Sequence, residues 1–145
     1  MENTLVMTHS MLRYIVLVLL VLAIIKAIAG WATKGSWKPF DDKLNLFTMI
    51  SVDLQFLLGL ILFFVSAKVE AAMGAEEGIM KNASARFTII EHPATMLIGI
   101  ILIHIGKAKA KKATDAVKKH KNIAIFYLIA LALIVSKIPW ETSKY

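Results

Sequence analysis

The chain has 145 residues, 58% of them apolar, and a mean hydropathy of +0.68, whereas a soluble domain carries about 45–50% apolar residues. Seventeen Lys and Arg against ten Asp and Glu give a net charge of +7; most of the basic residues lie between apolar blocks, where they set topology and meet anionic headgroups rather than nucleic acid. There is no cysteine, which excludes disulfides, thiolate-held iron–sulfur clusters and covalently attached c-type haem.

Four apolar blocks follow in chain order, each near the roughly 20 residues a helix needs to cross a hydrocarbon core of about 30 Å. The first covers residues 11–32, with Lys26 as its interior charge. The Met1-Glu2-Asn3-Thr4 start lacks the basic segment of a cleaved signal peptide, so this block is expected to stay in the mature protein. The second, 44–67, is interrupted by Asp53. The third, 87–106, carries Glu91, His92 and Pro93 near its start, and the fourth, 122–140, ends at Trp140 with Lys137 able to snorkel. None alternates with period two. The expected fold class is all-α, an integral membrane four-helix bundle forming one domain over residues 1–145.

Eleven of the seventeen Lys and Arg flank the first and third loops, seven of them in the 107–121 loop, and six lie on the other side. This bias puts both loops in the cytoplasm and both termini outside. It sets Trp31 and Trp37 at the inner interface and Trp140 at the outer one. The expected location is the bacterial inner (cytoplasmic) membrane, as a multi-pass protein in the lipid bilayer.

Within lipid, small and polar residues mark the packed faces. His9, Arg13, Leu20, Ala27 and Gly30 share a stripe on the first helix, Ser51, Gln55 and Gly59 on the second, and Thr88, His92, Gly99 and Gly106 on the third. The charged and imidazole positions are costly in a membrane and call for pairing or function. Five of them, His9, Arg13, Arg86, Glu91 and His92, come to similar depth near the outer face. Two neutral imidazoles on different helices, with arginines to neutralise propionates, are what a membrane b-type haem requires. His9 and His92 are thus candidate metal ligands, Glu91 a partner for an imidazole or for Arg13, and Pro93 a bend that aims His92 inward. The alternative is an interfacial His9 and a His92 that bonds Glu91 or a carbonyl. Counting inward from Arg13 and Arg86 sets His9 about 5–10 Å shallower than His92.

His104 is expected at the inner interface, and His120, among Lys118, Lys119 and Lys121, in a solvated setting. Asp53 lies about 15 Å from Lys43 along its helix. It points about 200° away from Gln55, so only one of the two faces the bundle core. If Gln55 faces the core, Asp53 is expected outward, toward a second copy or a quinone pocket; its role is either a protonated interhelical hydrogen bond or proton transfer or ligand binding. No Ser–His–Asp set, phosphate loop or HExxH motif occurs, so no catalytic residue is assigned.

His9-Ser10-Met11-Leu12-Arg13-Tyr14, Asp53-Leu54-Gln55 with Gly59, Arg86 followed by Glu91-His92-Pro93, and Ile138-Pro139-Trp140 together resemble a family of small four-helix bacterial membrane proteins labelled cytochrome b-like. The likeness runs over most of the chain. A fainter one, through Gln55 and Gly59 followed by a His-bearing helix, is to one half of a haem A synthase, whose second half has no counterpart here. The family resemblance implies haem b with His9 and His92 as ligands. The expected function is electron transfer to or from quinone or a larger respiratory complex, as a monomer or homodimer, in an accessory role rather than as a stand-alone enzyme. A haem-free structural or assembly subunit is the alternative, and a small transporter with Asp53 as its proton site a third reading.

Overall fold

A computed structural model describes residues 2–139. Trp140, expected at the outer interface, and Lys144, one of the six outer basic residues, lie outside the described residues. The described chain is all-helical: α1 (Glu2–Thr33), α2 (Pro39–Val65), the short α3 (Ala67–Met73) and α4 (Ala83–Arg86), a π-helical turn (Phe87–Glu91), α5 (His92–Lys112) and α6 (Ala116–Ser136). Four helical runs, Glu2–Thr33, Pro39–Val65, Ala83–Lys112 and Ala116–Ser136, are long and apolar enough to cross a membrane.

Caps, rather than hydropathy, end the helices: they begin before the apolar blocks, but α2 stops at Val65 and α6 at Ser136, short of the expected 67 and 140. Glu2 sits in the first turn of α1, where a carboxylate complements the helix dipole, and it accepts the Ala67 N–H at 3.2 Å. α1 closes in a Schellman turn: Lys34 takes a φ of 55°, and the Gly35 N–H reaches the Gly30 carbonyl at 2.9 Å. Pro39 opens α2, a position that has no use for an N–H, and Asp41 Oδ2 accepts the Lys38 N–H at 2.8 Å. Ser66 ends α2, two residues short of the expected boundary, and its hydroxyl accepts the Lys68 N–H to start α3. Asp115 caps α6 through the Val117 N–H at 3.0 Å.

The long helices alternate in direction. Glu2, Val65 and Ser136 lie at one end of the bundle, here the terminal end, and the turns after α1 and α5 lie at the loop end. α1 packs closely on α2 and α6, and α5 on α6, whereas α2 and α5 meet loosely. The order around the bundle is therefore α2-α1-α6-α5, with an open seam between the first and last. Leu20, Ile103, Ile123, Tyr127 and Ala130 form the middle of the core. Gly99 and Gly106 allow α5 to approach α6: a Cβ at Gly106 would stand 2.7 Å from Phe126 Cβ, and one at Gly99 2.9 Å from Ile134 Cγ1.

The loop end holds a polar knot. Lys26 Nζ reaches Asp41 Oδ1 at 2.9 Å, and Asp41 is only 1% exposed. His120 is also 1% exposed, which corrects the solvated setting expected from its lysine neighbours. Successive helical residues turn by about 100°, so His120 faces α1 while the lysines beside it do not. Its ring lies flat on Gly30, where a Cβ would stand 2.5 Å from the imidazole. Trp37 packs at 5.1 Å between ring centroids, and His120 Nε2 donates to the Ser36 carbonyl at 3.2 Å.

Candidate functional site

A cavity of about 340 Å³ opens among the four long helices toward the terminal end. Its polar lining comes from His9, Ser10 and Arg13 on α1, Gln55 on α2 and His92 on α5; the remaining walls are almost wholly apolar. Of the lining residues, Leu60 on α2 and Ala94 and Leu97 on α5 are exposed, so the mouth faces the loose α2–α5 seam.

His9 owes its place to two residues of α2. A Cβ on Gly59 would lie 3.2 Å from His9 Cε1, so glycine there leaves room for the ring. Gln55 Nε2 donates to the His9 carbonyl at 2.7 Å and ties α2 to α1 at the level of the imidazole.

His92 is placed by the π turn before it. Pro93 has no N–H, so the regular bond to the Ile89 carbonyl cannot form, and the widened turn links the His92 N–H to the Phe87 carbonyl instead. In a regular helix residues five apart face about 140° away from each other. Here the Phe87 and His92 rings stack, with centroids 5.8 Å apart and 27° between planes. His92 Nδ1 lies 2.7 Å from the Lys137 carbonyl. A carbonyl only accepts, so Nδ1 carries the proton, and in the neutral ring Nε2 holds the lone pair.

The cavity thus gathers His9, Arg13, Gln55 and His92. Arg13 follows His9 by one turn, and its Nη2 donates to the Tyr14 hydroxyl at 3.0 Å. Arg86 and Glu91 are not among the cavity's lining residues. Arg86 bonds Glu91 Oε2 at 2.7 Å and the Met80 carbonyl at 2.7 Å, and Lys137 Nζ reaches Glu91 Oε1 at 3.2 Å. Glu91 therefore partners neither imidazole nor Arg13. It anchors the side chain of Lys137, whose carbonyl orients His92, a link that the sequence offers no means to see. His9 and His92 line the same cavity, whereas Arg86, before the widened turn, does not.

Asp53 and His104 lie outside the cavity. Asp53 Oδ1 and His104 Nε2 are 2.7 Å apart across the seam, and the two side chains are 44% and 45% exposed.

His9 and His92 are the side chains of this cavity that could hold a metal or a haem iron. One histidine is held in the tautomer that leaves Nε2 for a metal, by the carbonyl bond common to metal-ligating imidazoles. The second has room made for it by a glycine, and an arginine stands beside it. Among the described residues no three His, Cys, Asp or Glu side chains gather as a metal-binding group. Compared with protein-family models, curated proteins and solved structures, the chain gives no match.

Proposed function

We propose that this chain is a multi-pass membrane protein that holds one non-covalent haem b between His9 and His92 and takes part in electron transfer, as the resemblance to cytochrome b-like proteins implies. The observation that carries this reading is the opening of both imidazoles onto one largely apolar cavity, with His92 Nδ1 already committed to the Lys137 carbonyl. His9 and His92 bind iron through ring nitrogens in this reading, and Arg13 offsets propionate charge at the cavity wall. The apolar walls exclude water and favour a planar, greasy macrocycle. When bound, haem supplies a one-electron ferric–ferrous couple; quinone or a larger respiratory complex is the partner class. Protein purified in detergent from a haem-sufficient host should show a low-spin reduced visible spectrum. Colourless protein that remains folded by circular dichroism would instead leave the haem-free structural subunit.

The four apolar helices support a bilayer as the surrounding solvent. The eleven-to-six basic bias orients them with the loop end in the cytoplasm of a bacterial inner membrane and both termini outside. The basic residues of the 107–121 loop should then be shielded from protease in sealed right-side-out vesicles, while a tag at either terminus is cut. Protection of a terminal tag would reverse the orientation.

A further inference from the structure

The Asp53–His104 pair is unlike the other polar groups of the bundle, because it stands about half exposed on the flank of helices read as spanning lipid. A charged carboxylate facing hydrocarbon is costly unless it is paired. The pair is also chemically incomplete. With one proton between Asp53 Oδ1 and His104 Nε2 and a second on His104 Nδ1, the pair is net neutral, as acid and imidazole or as carboxylate and imidazolium. In both forms Asp53 Oδ2 remains an acceptor and His104 Nδ1 a donor. Neither atom has a hydrogen-bond partner among the described residues. A surface carrying one outward donor and one outward acceptor is complementary to itself under a two-fold rotation.

The surroundings follow the same logic. Ile50, Asp53, Leu57 and Leu60 on α2 advance by three and four residues, as do Leu97, Ile101 and His104 on α5, and the apolar members are 43–52% exposed. That is the spacing of a helix face that packs on another helix. Leu60 and Leu97 also line the cavity, so its mouth opens onto this same face.

We propose that two copies of the chain pair across the α2–α5 face, Asp53 Oδ2 of each accepting from His104 Nδ1 of the other. The pairing rests on the membrane-spanning reading and is independent of haem. It gives the polar pair its missing partners in a setting where interhelical hydrogen bonds hold helices together. It also closes the cavity mouth, which a single copy leaves open along the seam.

The absence of cysteine makes the test clean. Leu57→Cys and Ile101→Cys lie on the proposed face, whereas Ile25→Cys on α1 and Leu128→Cys on α6 are equally exposed but lie elsewhere. Treated in native membranes with a short bis-maleimide, the first two should yield covalent dimers several-fold more efficiently than the last two. Adding Asp53→Leu and His104→Leu to Ile101→Cys should reduce that yield several-fold, with the α-helical circular dichroism kept. Equal yields at all four positions, or undiminished linking without the polar pair, would overturn the proposal. A visible spectrum of each sample separates the readings: colourless protein that still links refutes haem and supports pairing. A retained spectrum without linking refutes pairing and leaves haem standing.

Discussion

His92→Ala is expected to abolish the low-spin haem spectrum, because no other side chain of α5 that lines the cavity carries a metal-binding nitrogen. Outer partners of a ligating imidazole are typically worth about 10–100-fold in affinity, and removal of the ligand itself should exceed that. His9→Ala should behave differently. It leaves His92 held by the Lys137 carbonyl, so haem should bind more weakly in a five-coordinate, high-spin form. Arg13→Ala should loosen binding without changing spin state. Glu91→Gln is the informative control: it releases Lys137 and Arg86 but no lining residue, so it should lower retention only modestly. Haem per protein by pyridine haemochrome, beside the reduced spectrum, reads all four. A low-spin spectrum unchanged in His92→Ala would remove this site from consideration.

The four long helices were readable because their cores are runs of apolar residues with few charges. Their ends were not readable from hydropathy, which reports where hydrocarbon can lie and not where the backbone stops being helical. Residues 2–10 and 107–112 are too polar to count toward a span, yet they continue α1 and α5 without a break. The caps were nonetheless written in the chain: Pro39 with Asp41, and Asp115 before α6, are ordinary start signals. The nearness of His9 and His92 followed from the small-residue stripes. The roles of Arg86 and Glu91 did not, because the turn forced by Pro93 shifts everything before it around the helix axis relative to everything after it. His120 failed for another reason: charged neighbours in sequence say little about a helical residue, whose surroundings are set by residues three and four away.

Lys26→Met is expected to destabilise the bundle more than Asp41→Asn, although the two changes break the same ion pair. The reason is what each leaves behind. Asp41 is 1% exposed, and without Lys26 its carboxylate keeps, among the described residues, only the Lys38 N–H at 2.8 Å. An uncompensated buried charge of this kind costs about 3–5 kcal/mol. The reverse change leaves the Lys26 ammonium, whose side chain is 40% exposed and can turn toward the aqueous loop end. Asp41→Asn also keeps a side-chain oxygen able to accept the Lys38 N–H, so its cost should be that of one charge-assisted hydrogen bond, about 1.5–3 kcal/mol, reduced by the exposure of the lysine. Combining the two changes should recover much of the Lys26→Met loss, since no charge then remains buried. Unfolding in mixed detergent micelles would measure all three. If Asp41→Asn proved the costlier single change, the carboxylate's main work would be to start α2 rather than to bind Lys26, and the double variant would then be no more stable than Asp41→Asn alone.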